Sequence, residues 1–184
     1  MKKTNISIAL LIIISLIIVS TSEAKVFMKR DEALNTAFPN AAEIEKKEIF
    51  LSSNQSQAVE SLSKAKNESK LYIIYEAKNE EKTLGYAIID THILRTKTET
   101  VMFVIDPDGS LRQTEVLAFF EPSDYQAGDN WMALFEGKTS EDSLKPGKDI
   151  PNMTGATITA NSLSQATRRI LAVFKVASDA GQLN

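Results

Sequence analysis

The sequence has 184 residues, of which 43% are hydrophobic and 24% charged, with a formal net charge of −3. This composition is ordinary for a globular protein, and the length suits one domain. The acidic balance argues against a general nucleic-acid binder, which needs a basic face. Cysteine is absent, which excludes disulfides, thiolate chemistry, zinc–thiolate sites and iron–sulfur clusters, and His92 is the single histidine.

Residues 1–24 contain the three parts of an export signal. Two lysines give a positively charged start, residues 6–19 form an apolar core, and Ser22-Glu23-Ala24 puts small residues at a cleavage point. A membrane-spanning helix needs about 20 apolar residues, so this core is short for a permanent anchor. The sequence therefore predicts a signal peptide over 1–24, with retention as an anchor left open. The domain over 25–184 is expected to work outside the cytoplasmic membrane, in a periplasm or on the membrane's outer face.

The first half of that domain is predicted to contain two helices and three strands. Apolar spacing and β-rich runs predict a helix over 30–38, a strand over 43–51, a polar helix over 55–66 and strands over 71–77 and 83–95. Gly85, inside the last of these strands, marks a bulge or a close approach of the backbone.

A hairpin is the clearest local signal in the second half. Two apolar β runs, 100–105 and 111–120, flank the turn sequence Asp106-Pro-Asp-Gly-Ser110. Looser sequence with a short helix over 130–136 follows, and a long helix is predicted over 159–178. The apolar stripe of that helix consists of Leu163, Ala166, Ile170, Val173, Phe174 and Ala177. These elements predict an α+β fold: a mostly antiparallel sheet flanked by N-terminal helices and a long C-terminal helix.

The tetrad Thr154-Gly155-Ala156-Thr157 stands directly before the long helix. A helix N-terminus has unsatisfied N–H groups and about half a positive charge, so it can bind an anion such as a phosphate. Gly155 allows a sharp turn, and Thr157 places a hydroxyl beside the helix start. The simpler interpretation is that Thr157 or Thr159 is only the N-cap, because threonine is common at that position.

The tetrad and its surroundings resemble the flavinylation motif of the FMN-binding domain family. That motif has an Asp followed by [Ser/Thr]-Gly-Ala-Thr-[hydrophobic]-[Ser/Thr], which Asp149 and the residues from Thr154 to Thr159 match. The family includes the C subunit of the sodium-pumping NADH:quinone reductase, the G subunit of the Rnf complex and stand-alone exported proteins. Residues 32–41, 84–125 and 135–138 also resemble its opening helix, its sheet and a short segment before the motif.

This resemblance implies a covalent cofactor. Thr157 would carry FMN through a phosphoester, with Thr154, Gly155 and Ala156 as the recognition turn and Asp149 as the upstream acid. By the family's chemistry, an extracytoplasmic flavin transferase would use FAD and Mg²⁺ to attach FMN and release AMP. The protein would then be an electron carrier that exchanges electrons with a membrane or extracytoplasmic redox partner, with the redox chemistry belonging to the flavin.

Other residues are weaker candidates. By the resemblance, Glu121 lies near the flavin side of the sheet, and Tyr125 or Trp131 could pack on the flavin ring, although aromatic side chains more often belong to a core. His92 could bond to the flavin, but a lone strand histidine is more often structural. The family's membrane-complex subunits have a fuller Glu-Thr-Pro-Gly-type loop, and here a threonine is missing after Glu121.

Three functions therefore remain open at the level of sequence. The first is an exported carrier with one covalent FMN. The second is an FMN-bearing subunit of an Rnf- or Nqr-like membrane complex, which retention of residues 1–24 would favour. The third is a non-redox exported binding module in which the tetrad is only a cap.

Overall fold

The computed structural model describes residues 25–183, and the predicted signal segment lies outside them. Within this range the strands are β1 (Lys25–Val26), β2 (Glu43–Phe50), β3 (Leu71–Asn79), β4 (Lys82–Ile93), β5 (Thr98–Ile105) and β6 (Leu111–Phe119). The helices are α1 (Arg30–Ala37), α2 (Ser53–Ser63), the short α3 (Asp129–Met132) and the long α4 (Thr157–Asp179). Single 3₁₀ turns cover Ser123–Tyr125 and Ala133–Phe135.

All of these strands form one antiparallel sheet in the order β1-β6-β5-β4-β3-β2. The β5–β6 hairpin turns as its sequence predicts. The Asp106 N–H donates to the Ser110 carbonyl at 2.8 Å, and Gly109 has a φ of +89°, which favours glycine. The structure thus confirms the predicted α+β fold with its antiparallel sheet and long C-terminal helix.

The two faces of the sheet bury two separate cores because side chains alternate along each strand. On β5, for example, Val101 and Phe103 belong to the larger core, whereas Met102 and Val104 belong to the smaller one. The larger core packs against α2 and α4, and the smaller core packs against α1. Every buried apolar residue of both cores lies between residues 33 and 183.

Helix α4 supplies much of the larger core. It has 23 residues, and the predicted apolar stripe is buried along its length. Fully burying each large apolar side chain, such as Leu163, Ile170 or Phe174, stabilises the fold by roughly 1.5–3 kcal/mol. Helix α2 is shorter and is fixed by a capping box, in which the side chains of Ser52 and Gln55 each accept from the other's backbone N–H.

The structure differs from the sequence predictions mainly at element ends. Helix α4 begins at Thr157, two residues before the predicted start, and β4 ends at Ile93 because the Leu94 N–H donates to the Lys97 carbonyl to close a turn. Strand β1 was not predicted, since two residues are too few to display an alternating pattern. Among residues 25–183, no helix combines the length and the apolar character needed to cross a membrane.

Gly85 confirms the expectation of both a bulge and a close approach. The β3–β4 register shifts beside it, between Ala77 and Lys78, and its φ is +152°. A Cβ at this position would lie 2.9 Å from the Ile105 carbonyl oxygen and 3.1 Å from the Phe38 ring. Such separations are too short for carbon, so either the neighbouring strand or α1 would have to move.

We expect Gly85→Ala to lower the free energy of unfolding by about 3 kcal/mol, because it combines backbone strain with overpacking. Urea denaturation followed by circular dichroism measures this loss. Gly128→Ala is the matched control, since a Cβ there meets no atom within 4 Å and its φ is −78°. Equal effects of the two substitutions would contradict the explanation.

Candidate functional site

The tetrad forms a turn that leads directly into α4. Thr154 and Gly155 make the turn, Ala156 is the N-cap residue, and Thr157 is the first residue of the helix. Gly155 has a φ of +80°, a conformation that side chains disfavour, although a Cβ there would meet open space. The backbone conformation, and not crowding, therefore explains the glycine.

Neither threonine of this region is the N-cap, contrary to the simpler interpretation of the motif. The cap residue is Ala156, and no side chain caps the helix. Thr159 is fully buried, and its hydroxyl donates to the Tyr125 carbonyl at 2.7 Å. Thr157 is exposed, so the helix presents a free N-terminus with a hydroxyl beside it.

The segment before the tetrad is held by contacts of its own. Asp149 is exposed, and its carboxylate accepts from the Lys145 N–H at 2.7 Å, which closes the turn around residues 145–150. Desolvation acts to raise the pKa of Asp149, but the backbone hydrogen bond from Lys145 and other donors outweigh it and lower the pKa. Asp149 thus shapes the approach to the tetrad through backbone contacts.

Trp131 fixes the same approach from the side. Its indole Nε1 donates to the Pro151 carbonyl at 2.9 Å, and its ring packs edge-on against Phe135 with 5.1 Å between ring centroids. Trp131 and Met153, just before the tetrad, both pack against the larger core. The ring of Trp131 therefore supports the loop that precedes the tetrad.

Glu121 organises the turn between β4 and β5. Its side chain is buried, and one carboxylate oxygen accepts from the N–H groups of Thr96 at 2.6 Å and Lys97 at 2.8 Å. The Thr96 hydrogen bond is the main reason that the pKa of Glu121 is lowered, although desolvation opposes it. Glu121 thus serves as an acceptor for a tight turn beside the helix start.

Tyr125 connects that turn to α4. The Arg95 guanidinium, in the β4–β5 turn, lies 4.2 Å from the centroid of the Tyr125 ring, which is a cation–π geometry. The backbone carbonyl of Tyr125 accepts the buried Thr159 hydroxyl. The chain of contacts from Glu121 through Arg95 and Tyr125 therefore ends at the first turn of α4.

The structure thus gathers most of the predicted site residues at one end of the sheet. Thr154, Gly155, Ala156 and Thr157 are contiguous, and Tyr125 reaches their helix directly. Glu121 reaches it through the turn that it caps, whereas the contacts of Asp149 stay within its own turn. Arg95 was missed, because only the sheet topology brings its turn against residues 123–125 and no sequence pattern marks it.

The fold has a counterpart among solved structures. The crystal structure of NqrC from Shewanella oneidensis aligns with 83% of this chain and 91% of its own chain, at 12% sequence identity and a TM-score of 0.50. The chain has an NqrC-like fold. No protein-family model matches the sequence, and no curated protein matches it.

A second polar cluster of this NqrC-like fold surrounds His92. The imidazole is nine-tenths buried, with Nδ1 2.9 Å from the Asp90 carboxylate and Nε2 3.6 Å from the Glu99 carboxylate. Glu99 is fully buried, and Arg169 of α4 lies 2.8 Å from Asp90. Two acidic side chains thus face a guanidinium and an imidazole.

The environment of His92 favours its charged form. Burial would lower its pKa, but the Asp90 and Glu99 carboxylates overcome this effect and raise the pKa of His92 to about 9. The cluster ties strands β4 and β5 to α4 beneath a cleft of about 590 Å³. We therefore assign His92 a structural role. Residues 25–183 contain no group of three or more His, Asp or Glu side chains placed to hold a metal ion.

Stability should depend on the charge of His92. Because its folded pKa is raised from 6.5 to about 9, its contribution is fully present below pH 6.5 and is lost as the pH rises through 9. We expect the unfolding free energy to fall by up to about 3 kcal/mol over this window. Urea denaturation across this pH range measures it.

The matched variant is His92→Gln, which cannot be protonated. It should be less stable at neutral pH, and its unfolding free energy should lack the decline over that window. An identical pH dependence in the two proteins would show that other groups cause the decline.

Proposed function

We propose that this protein carries one FMN on Thr157 and transfers electrons outside the cytoplasmic membrane. In this proposal residues 1–24 direct export and residues 25–184 form the FMN-binding domain. The observation that carries the proposal is the exposed Thr157 hydroxyl at the uncapped start of a 23-residue helix, directly after a glycine with a φ of +80°. The NqrC-like fold supports it, because the sequence resembles the family that contains the C subunit of the sodium-pumping NADH:quinone reductase.

The residues present suit a phosphoester. The N–H groups of Thr157, Ile158 and Thr159 have no partner within the helix. In a helix each N–H bonds to the carbonyl four residues earlier, and for these three residues that carbonyl lies before the helix begins. They and the helix dipole would stabilise the negative phosphate attached to the first of these residues. FMN itself supplies the redox chemistry when it is attached.

Attachment requires a separate enzyme. Asp149 is bonded to the Lys145 N–H and His92 is buried between two carboxylates, so neither is offered to Thr157 as a base. In the proposed reaction, the Thr157 oxygen forms a bond to the FMN phosphorus of FAD, the diphosphate bond breaks and AMP leaves. The hydroxyl proton passes to a base of the flavin transferase, and Mg²⁺ offsets the charge of the diphosphate.

The arrangement also suits exchange of electrons with another molecule. A tether at an exposed residue gives permanent occupancy and leaves the ring at the protein surface. The backbone of Tyr125 contacts α4 through the Thr159 hydroxyl, and we propose that the ring lies on this flank, where Arg95 stacks on the tyrosine. The partner is a membrane or extracytoplasmic redox protein.

Thr157→Val tests the attachment site, because it removes the hydroxyl and keeps the shape of the side chain. The wild-type protein, co-expressed with a flavin transferase and exported, should gain the mass of one FMN residue by intact-mass measurement. The variant should have the mass of the bare polypeptide. Ser162→Ala, which removes another hydroxyl of the same helix, is the control and should keep the added mass.

Two outcomes of this measurement would overturn the proposal at different points. A bare mass for the wild-type protein would reject the flavin and leave the non-redox binding module. An added mass that survives Thr157→Val would reject the site while keeping the cofactor.

The likeness to NqrC favours a second candidate, an FMN-bearing subunit of an Rnf- or Nqr-like membrane complex. The two candidates differ in residues 1–24, which a carrier would lose and a membrane subunit would retain. The carrier proposal predicts a mature protein that begins at Lys25 when it is isolated from its own cells. Amino-terminal sequencing measures this. A protein that begins at Met1 or Lys2, and that purifies as part of a larger membrane complex, would instead favour the subunit of a membrane complex.

A further inference from the structure

Strand β2 forms one edge of the sheet, and its outer side pairs with no other strand of residues 25–183. Just after β2, the Leu51 N–H donates to the Lys70 carbonyl, beside β3, at 2.8 Å. Because the backbone groups of successive residues point to opposite sides of a strand, the odd-numbered residues of β2 bond to β3 in the same register. The backbone N–H and C=O groups that point outward, a template for another strand, therefore belong to the even-numbered residues. We call these residues the β2 edge: Ile44, Lys46, Glu48 and Phe50.

The side chains of the β2 edge all lie on the face of the sheet that carries α1. Ile49 is buried in the larger core on the other face, and its neighbours in the strand point away from that core. In chain order the four side chains of the edge are apolar, basic, acidic and apolar. When the order is reversed, apolar again meets apolar and basic meets acidic. The β2 edge is therefore complementary to an antiparallel copy of itself.

The side chains of the β2 edge are open to such a copy. Lys46 and Glu48 form an ion pair of 2.7 Å with each other, and about half of each side chain is exposed. Phe50 is 64% exposed although it is a large aromatic residue. The edge thus presents an exposed charge pair and an exposed ring on one face of the sheet.

A two-fold axis at Lys47 gives the complementary register. Across this axis Ile44 lies opposite Phe50 of the second copy, and Lys46 lies opposite Glu48 of the second copy. The backbone groups of these residues point outward, so each of these pairs can form the two hydrogen bonds of an antiparallel ladder. An axis at Lys46 or at Glu48 would instead place two lysines or two glutamates opposite each other, which is unfavourable. The charges therefore select the axis at Lys47.

A cleft beside Ile44 suits the ring of Phe50 in this register. The cleft has a volume of about 300 Å³ and lies between α1 and β2, where its lining includes Leu34, Ile44, Lys46 and Tyr75. Side chains directly opposite each other in an antiparallel pair have Cβ atoms only about 5 Å apart. The Phe50 ring of the second copy would therefore reach this cleft. By symmetry, the cleft of the second copy would receive Phe50 of the first.

We propose that two copies of this protein pair through the β2 edge and join their sheets into one antiparallel sheet across a two-fold axis. The partner is a second copy because β2 complements its own sequence in charge and in apolar character, and because the same copy that presents the Phe50 ring also has the cleft. This inference goes beyond the proposed function and does not depend on the flavin.

The charges of β2 permit this contact. Charged residues on an edge strand oppose pairing when like charges meet, whereas those of the β2 edge meet as opposites. On the other face of the sheet the axis brings the two Lys47 side chains together. Each Lys47 Nζ already lies 2.8 Å from the Glu76 carboxylate and 2.5 Å from the Leu183 carbonyl. The charge of Lys47 is therefore compensated within its own copy.

One hydrogen bond at the end of the edge would be exchanged. The Phe50 carbonyl accepts from the side-chain amide of Gln182 at 3.3 Å, and this contact is exposed. In the paired state the carbonyl would accept from the Ile44 N–H of the second copy, and the Gln182 amide would turn to solvent. The exchange replaces one hydrogen bond with another, so it does not oppose pairing.

Pairing can be tested with residues 25–184. Both cores consist entirely of residues 33–183, and every strand and helix described above lies within 25–183. Residues 25–184 are also the mature chain of the proposed function. Circular dichroism and thermal unfolding of each variant verify that it folds.

Sedimentation equilibrium measures the pairing. We expect a monomer–dimer equilibrium for the wild-type protein. Lys46→Glu places two carboxylates opposite each other at two positions across the axis and should raise the dissociation constant about tenfold or more. Phe50→Ser leaves both clefts empty and should raise it by a similar factor, about tenfold. Lys46→Glu combined with Glu48→Lys exchanges the two charges and should restore the wild-type dissociation constant.

Matched controls lie away from the β2 edge. Lys66 forms an exposed ion pair with Glu68, two residues later, as Lys46 does with Glu48, so Lys66→Glu makes the same change at another place. Ile93→Ser removes an apolar side chain of β4 that is 68% exposed. Both controls should leave the dissociation constant unchanged.

Disulfide formation tests the register, because the chain has no cysteine of its own. In the proposed register Lys46 and Glu48 of the second copy have Cα atoms about 5.5 Å apart, which a disulfide can bridge. An oxidised mixture of the Lys46→Cys and Glu48→Cys proteins should therefore form a mixed disulfide, which intact mass identifies. Either protein alone should form little disulfide, since its two cysteines would be about 8 Å apart.

Three results would overturn the proposal. The first is a folded wild-type protein that stays monomeric at every concentration measured. The second is a dimer that Lys46→Glu leaves intact, or one that the exchange of both charges fails to restore, since the contact would then lie elsewhere. The third is a disulfide that forms as readily with one cysteine protein alone as with the mixture, which would reject the two-fold axis at Lys47.

Discussion

The packing of α4 against one face of the sheet is the contact on which the rest of the structure depends. This single helix buries more than half of its residues, and the larger core consists of its apolar stripe and the facing strands. Its position also determines where its N-terminus lies. Because the last turns of α4 are fixed by Ile170 and Phe174 in the core, the first turn is carried to the end of the sheet beside the β4–β5 turn.

That first turn combines burial on one side with exposure on the other. Thr159 and Ala160 are fully buried, whereas Thr157 and Ile158 face solvent. The Thr159 hydroxyl fixes the helix to the Tyr125 backbone, and Arg95 and Glu121 extend the connection to the sheet. The exposed hydroxyl therefore stands on a rigid base, which is what a surface attachment point requires.

Most of the fold could be predicted because its signals are local. The Asp-Gly turn defined the β5–β6 hairpin, and the spacing from Leu163 to Ala177 defined α4. The start of α4 was placed two residues late because the sequence pattern suggested a threonine cap, whereas the cap residue is Ala156 and the turn conformation comes from Gly155. The exact first residue of a helix depends on the backbone dihedral angles of the residues before it. Several different sequences can adopt the same angles, so the sequence alone does not define the boundary.

The candidate site was predictable where its residues are contiguous in sequence, but not where distant segments meet. The tetrad is a motif within four residues, so sequence alone could point to it. Arg95 stacks on Tyr125 only because β4, β5 and the 3₁₀ turn meet in three dimensions, and the cluster of His92 with Asp90, Glu99 and Arg169 joins two strands to a helix. Contacts between distant segments follow from topology, and no periodicity encodes them.

The position of Thr157 outside both cores has a consequence for how the protein would mature under the proposed function. All packed side chains belong to the polypeptide, and Thr157 lies on its outside. In the proposed reaction, folding and flavin loading are therefore separable events. Under the proposed function, loading would therefore leave the packing of the sheet against α4 unchanged. A surface position of this kind would let a transferase reach the hydroxyl of a chain that has already folded.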